Sequence, residues 1–280
     1  MGLIKSINQI IILFLDTLKQ AGRLGIWLLL LGYFLVIWLL LYAHYNFLSP
    51  IFYPLISTWV SLFGEDSFTA FSHYPGHFLY LPYFFGWGKL LLGLLVEGLV
   101  LGGVAAMFAD SFRKIARPDR TPFKSVLSLW LHLVLVWVVI NGLTVVVNFF
   151  LPDLLQAFHQ DSPRRLMAIR FVILPFILTV ILALFYFAIP AVAVFRDNFL
   201  KALGRSLKLF FRRPVTCFFL AAIIMFVPYF ISALPTDVLI VKFKPELVYW
   251  VILVGLAVEL LANYFWMGTA VRFLIEEEGE

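Results

Sequence analysis

Two carboxylates stand where acids are costly. Glu97 and Glu259 each fall inside a long apolar run, about 12 residues, or roughly 18 Å at the helical rise, from the basic end of that run. An ionised side chain at such depth in hydrocarbon costs about 2.5–3.5 kcal/mol, so each must turn toward protein, a partner or water. Their similar depth lets them share one intramembrane polar site, with Asn141, Asn263 and His132 as neighbours. Such a site would pass a proton or hold a polar substrate group. The same groups, neutral and hydrogen-bonded, would instead serve helix association. Gly93, Gly98, Gly102 and Gly103 around Glu97 predict close helix contact on either reading.

Other constellations carry less chemistry. His73 and His77 have a spacing that suits a metal on one helical face, but Pro75 and Gly76 between them argue against that helix. Asp153, His159 and Asp161 match no site spacing, although a lipid-modifying enzyme would draw on His73, His77 and Asp161. There is no glycine-rich phosphate loop, no nucleophile elbow and no zinc-binding helix motif, so the sequence offers no catalytic residue, metal site or cofactor site. Cys217 is the sole cysteine, which excludes a disulfide within the chain.

The basic residues are concentrated in two stretches. Ser111 to Ser125 holds Arg113, Lys114, Arg117, Arg120 and Lys124. Residues 195–214 read as a basic amphipathic helix, with Phe199, Leu203, Leu207 and Phe210 on one side and Asp197, Lys201, Arg205, Lys208 and Arg212 on the other. Lipid headgroups would be met by Arg113, Lys114, Arg117, Arg120, Lys201, Arg205, Lys208 and Arg212. The tendency of short cytoplasmic loops to be cationic explains the same residues without any ligand.

The elements that position these groups follow from composition. The chain of 280 residues is 63% hydrophobic and 13% charged, with a mean hydropathy of +0.99, far more apolar surface than a soluble fold can cover. This predicts an all-α polytopic membrane protein forming a single integral membrane domain over 1–280. Six spans of sufficient length lie near 25–44, 87–109, 125–150, 166–194, 215–233 and 247–271. Pro175 and Pro190 predict kinks in the fourth. Residues 1–23 read as an interfacial helix. The long connection after His44 holds a further short helix from Ile51 to Phe63, ending near Gly64, and then a belt of aromatic residues. Most of the 21 Lys and Arg residues fall on one side of this topology, which places both termini in the cytoplasm. The net charge of +5 therefore reflects topology rather than nucleic-acid binding.

Over residues 190–211, Pro190, the run AVAVF, Ala202, Leu203 and Ser206 resemble a bacterial family of six-span membrane proteins. That family includes the YciC-like proteins and the membrane domain of some glycerophosphoryl diester phosphodiesterases. Arg196 and Asp197 stand where the family more usually has a Glu. The resemblance implies a bacterial inner membrane and supplies no catalytic residue, because the hydrolase of the fused proteins is a separate domain. The expected function is a non-enzymatic protein that binds, organises or helps to move lipid or another amphipathic molecule, alone, as a homo-oligomer or as a subunit of a membrane complex. The alternative is a proton-coupled transporter of a small solute that uses the midplane carboxylates.

Overall fold

The computed structural model describes residues 3–113, 122–157, 168–234 and 244–279. Every regular element among them is helical, and six helices are long and apolar enough to cross a membrane: Leu24–Tyr45, Gly76–Phe112, Trp130–Asn148, Phe171–Phe195, Pro214–Ile231 and Leu247–Glu278. The protein is thus an all-α polytopic membrane protein with the six spans that hydropathy predicts. In chain order the helices are α1 (Leu3–Leu18), α2 (Leu24–Tyr45), α3 (Tyr53–Ser61), α4 (Glu65–Ser72), α5 (Gly76–Phe112), α6 (Pro122–Leu127) and α7 (Trp130–Ala157). They continue with α8 (Leu174–Phe185), α9 (Ala188–Phe195), α10 (Phe199–Arg212), α11 (Pro214–Ala233) and α12 (Leu247–Gly279). The chain packs as two compact units. A larger one comprises Met1–Leu30, Leu94–Phe226 and Ala262–Glu280, and a smaller one comprises Leu31–Gly93 and Val227–Leu261.

In the larger unit, glycine allows α5 to meet α7 closely, as its spacing predicts. A Cβ at Gly98 would lie 3.0 Å from the Leu133 carbonyl oxygen, and one at Gly102 would press on Leu133 and Val126. The fourth span, where Pro175 and Pro190 predict kinks, is interrupted outright. A π-helical turn at Ile169–Ile173 precedes Pro175, and the helix is interrupted at Tyr186 and Phe187 ahead of Pro190. The third span begins at Trp130 rather than near 125, because Ser128 and Leu129 form a turn in which the Ser128 hydroxyl donates to the Ser125 carbonyl.

In the smaller unit, Ile37, Leu41, Leu81, Phe85, Tyr249 and Ile252 belong to one apolar cluster. Phe47, Ile56, Val60, Phe71 and Phe84 belong to another. The expected short helix after residue 50 is α3, and the turn at Gly64, with φ 111°, requires a glycine. Glu65 and Asp66 then start α4, where acids favour the helix N-terminus. The helix of the second span starts at Gly76 rather than near 87. Phe78, Leu81, Phe84 and Phe85 recur at helical spacing and are buried, and Pro82 near the start is accommodated inside the helix. The density of rings reads as a belt in sequence; the periodicity within it makes the helix.

Candidate functional site

Chemistry-bearing groups of the larger unit gather around the break in the fourth span. Pro190 has no N–H, so the Tyr186 carbonyl would be orphaned in an apolar setting. The Trp266 indole N–H donates to it at 2.9 Å. One step away the Ser206 hydroxyl donates to the Leu184 carbonyl at 2.8 Å and accepts from the Phe187 N–H at 3.2 Å. The Tyr186 hydroxyl meets the Thr269 hydroxyl at 2.7 Å, fully buried. Pro190, Ala202 and Ser206, three of the residues that carry the sequence resemblance, thus build the joint that docks α10 against the broken span.

The protein-facing stripe of α10 is Ala202, Ser206 and Leu209. The larger Phe199, Leu203, Leu207 and Phe210 flank it half-buried. Apolar periodicity points to the flanks and misses the centre, because alanine and serine hardly register as hydrophobic. Asp197, expected on the basic face, is instead 2% exposed. It accepts from Arg205 Nε at 2.8 Å and lies 2.9 Å from Lys201 Nζ. Burial works to raise its carboxyl, but the hydrogen bonds and charges of Arg205 and Lys201 outweigh it and hold the group below the usual carboxylate range. Asn198 caps α10 by accepting from the Lys201 N–H at 2.9 Å.

Beside this joint the last turns of α12 carry acids that meet the cations. Glu277 binds Arg212 at 2.8 Å and Arg213 at 2.7 Å, and Glu278 binds Arg113 at 2.5 Å. Arg272 reaches Glu276 at 3.3 Å and Asp16 at 3.0 Å, and Asp16 also holds Lys19 at 2.7 Å. The Lys19 hydrogen bond leads the effects that lower the Asp16 carboxyl, against a counteracting burial. Ser111 donates to Gln20 in the same region. Of the cations expected to meet headgroups, Arg113, Lys201, Arg205 and Arg212 therefore already face carboxylates of the chain. Lys208 has no side-chain partner among the described residues, and Lys114, Arg117 and Arg120 lie outside them. The sequence signal for these partners is the acidic run Glu276, Glu277 and Glu278, three acids one turn beyond Arg272 at the end of a span whose side of the topology is otherwise basic.

The midplane residues are placed as follows. Glu259 pairs with Lys89 within the smaller unit, the two side chains 29% and 26% exposed. Lys89 lies at the margin of a span that starts at 87 and well inside a helix that starts at Gly76, which is why sequence reading passes over it. Glu97, Asn141, Asn263 and His132 belong to the larger unit. Asn141 donates to the Trp137 carbonyl of its own helix at 3.2 Å, Asn263 is buried, and His132 Nδ1 is buried without a hydrogen-bond partner among the described residues.

His73 stands in extended backbone after α4 while His77 lies in α5, so they share no helical face. His77 Nε2 bonds the Tyr45 carbonyl at 3.1 Å. Among the described residues no three His, Cys, Asp or Glu side chains gather as metal ligands. Asp153 falls in α7, and His159 and Asp161 lie outside the described residues. Compared with known proteins, the chain matches no family model, no curated protein and no solved structure.

Proposed function

We propose that the chain is a non-enzymatic membrane protein that binds and organises lipid, or helps to move it, at one face of the membrane. The observation that carries this reading is α10. Small buried residues and the Asp197 ion pairs fasten it to the end of a span, yet it leaves Leu200 and Phe211 exposed at 67% and 74% beside Lys201 and Lys208. A helix held firmly to protein while presenting greasy and cationic side chains together suits the boundary between acyl chains and headgroups. The α1 helix supports this with Ile7, Ile11 and Leu18 exposed, while Ser6, Ile10, Leu13 and Thr17 are buried. The distribution of cations favours a cytoplasmic location for this face and for both termini, and the resemblance over 190–211 favours a bacterial inner membrane.

The test is lipid retention. Protein extracted with its surrounding bilayer, then exchanged into detergent, should keep lipid through size exclusion, and its loss from cells should alter lipid distribution. No retained lipid together with an unchanged distribution would overturn the proposal. The Lys89–Glu259 pair supports a second reading, proton-coupled transport of a small solute, since a carboxylate and an ammonium inside two spans can exchange a proton. That reading requires pH-dependent uptake into proteoliposomes that disappears with Glu259→Gln.

A further inference from the structure

At the basic end of the larger unit a small cavity of about 80 Å³ opens between α5, α6 and α9, lined by Asp110, Arg113, Ser125 and Arg196 on the polar side and by alanines such as Ala106 and Ala193 on the other. One water needs roughly 10–15 Å³ on such a measure, so the space suits a headgroup and not a whole lipid. Arg113 directly follows the span Gly76–Phe112 and Arg196 directly follows the span Phe171–Phe195. Two spans therefore end at the cavity, which sets it at the membrane boundary.

We infer that this cavity binds a phosphoryl group carried with a primary ammonium, the chemistry of a phosphoethanolamine headgroup. The inference rests on the lipid-binding reading and specifies its ligand. Arg196 occupies an unusual position. It closes α9 with φ 57° and ψ 32°, a left-handed cap position that glycine or asparagine fills at less cost. What arginine adds there is a guanidinium at the rim of the cavity, held among the described residues by a long contact of 3.4 Å to the Ser128 hydroxyl. A planar guanidinium with a nearby hydroxyl from Ser125 matches phosphate oxygens.

Charge balance favours a zwitterion. Among the described residues Arg113 and Arg196 are offset by Asp110 in the lining and by Glu278 on Arg113, so the described lining offers both signs in balance. A zwitterion fits such a site better than an anion. A carboxylate has about four acceptor positions, so Asp110 can take a ligand ammonium in addition to its contacts within the chain. A quaternary amine, unlike a primary one, favours an open aromatic face. No ring is in the described lining, and Phe195, between the lining residues Val194 and Arg196, is already covered by Arg205 at 4.1 Å and faced by Arg113 at 5.9 Å.

The experiment is a titration of the purified full-length protein with short-chain phosphatidylethanolamine, phosphatidylglycerol and phosphatidylcholine, and with free phosphoethanolamine, read by native mass spectrometry. The ethanolamine lipid should bind at least about tenfold more tightly than the other two. Arg196→Gly should lower that affinity about tenfold while leaving the melting temperature equal or higher, because it relieves the strained cap. Asp110→Asn should remove the preference over phosphatidylglycerol. Free phosphoethanolamine binding as tightly as the lipid would uphold the chemistry and assign a water-borne source. Equal binding of the three lipids, or unchanged binding by Arg196→Gly, overturns the inference while lipid retention as such still stands. Absence of any lipid retention overturns the underlying reading.

Discussion

In the larger unit Asp16, Asp197, Glu276, Glu277 and Glu278 are each matched to arginine or lysine. In the smaller unit His77 is packed among Phe47, Phe71 and Phe78, with ring centroids 4.8, 4.8 and 5.0 Å away, and its hydrogen bond goes to backbone. The first arrangement suits span ends that meet water and headgroups, where ion pairs are partly solvated and titrate. The second draws its stability from area and ring geometry, and it responds little to salt. Ion pairing at span ends and ring packing around a histidine thus stabilise one apolar chain in different ways, and four measurements test the difference.

The largest expected effect is steric. A Cβ at Gly76 would collide with the Ala70 backbone carbonyl in the smaller unit, whereas one at Gly268 would collide with the Thr17 side chain in the larger unit. Overpacking costs about 1–3 kcal/mol, with the unyielding backbone contact at the high end. Gly76→Ala should therefore cost about 3 kcal/mol and Gly268→Ala about 2 kcal/mol by unfolding in detergent. Hydrogen exchange should show lost protection in α3 to α5 for the first variant and in α1 and the end of α12 for the second. If both variants loosen the same peptides, the separation into two differently held units fails.

Next comes the ion pair inside the smaller unit. Lys89→Met leaves the Glu259 carboxylate in a span without its ammonium, a loss of about 2–3 kcal/mol. Adding Glu259→Met should recover most of that. A double variant no better than the single one would show that the pair contributes little coupling.

A smaller effect is expected at the joint of the fourth span. Trp266→Phe removes the donor to the Tyr186 carbonyl and should cost about 1–2 kcal/mol. In a Pro190→Ala background the new N–H at position 190 can serve the same carbonyl, so the cost should fall by about half or more. Equal costs in the two backgrounds would refute this account of the break.

The smallest effects are those of pH. The folded carboxyls of Asp16 and Asp197 lie below their ordinary value of 3.8, so their contribution is present above that pH and is lost as the pH falls through the folded values. Acid should loosen α1 and α10 first, and Asp197→Asn should flatten that response. Tyr74, which donates to Glu246 at 3.1 Å in the smaller unit, is raised above 10.0, chiefly by that bond. Its contribution is present below pH 10 and is lost as the pH rises past it. Tyr74→Phe should therefore change only alkaline melting, and slightly.

Much of the fold was legible in sequence because a bilayer imposes few solutions on an apolar chain. Long apolar runs revealed the six spans, and Pro175 and Pro190 marked the fourth as bent, which the structure extends to an interruption. Residues 195–214 showed their amphipathic helix through a period that charge and ring positions repeat. The candidate site was less legible. Ser206 and Trp266 act on backbone groups that only the Pro190 break exposes, and Ala202 is too small to mark a face. Lys89 hid in a stretch whose aromatic density masked its helical start.

Local hydropathy, period and proline chemistry are enough to set the class of the molecule, the number of spans, the amphipathic helices and the span that bends. Which charges meet is settled by the packed fold. Asp197 turned inward to Arg205, Glu277 took two arginines, and Glu259 took Lys89 across 170 positions of chain. A side chain's partner in three dimensions is set by packing of distant segments, and no local pattern carries that information.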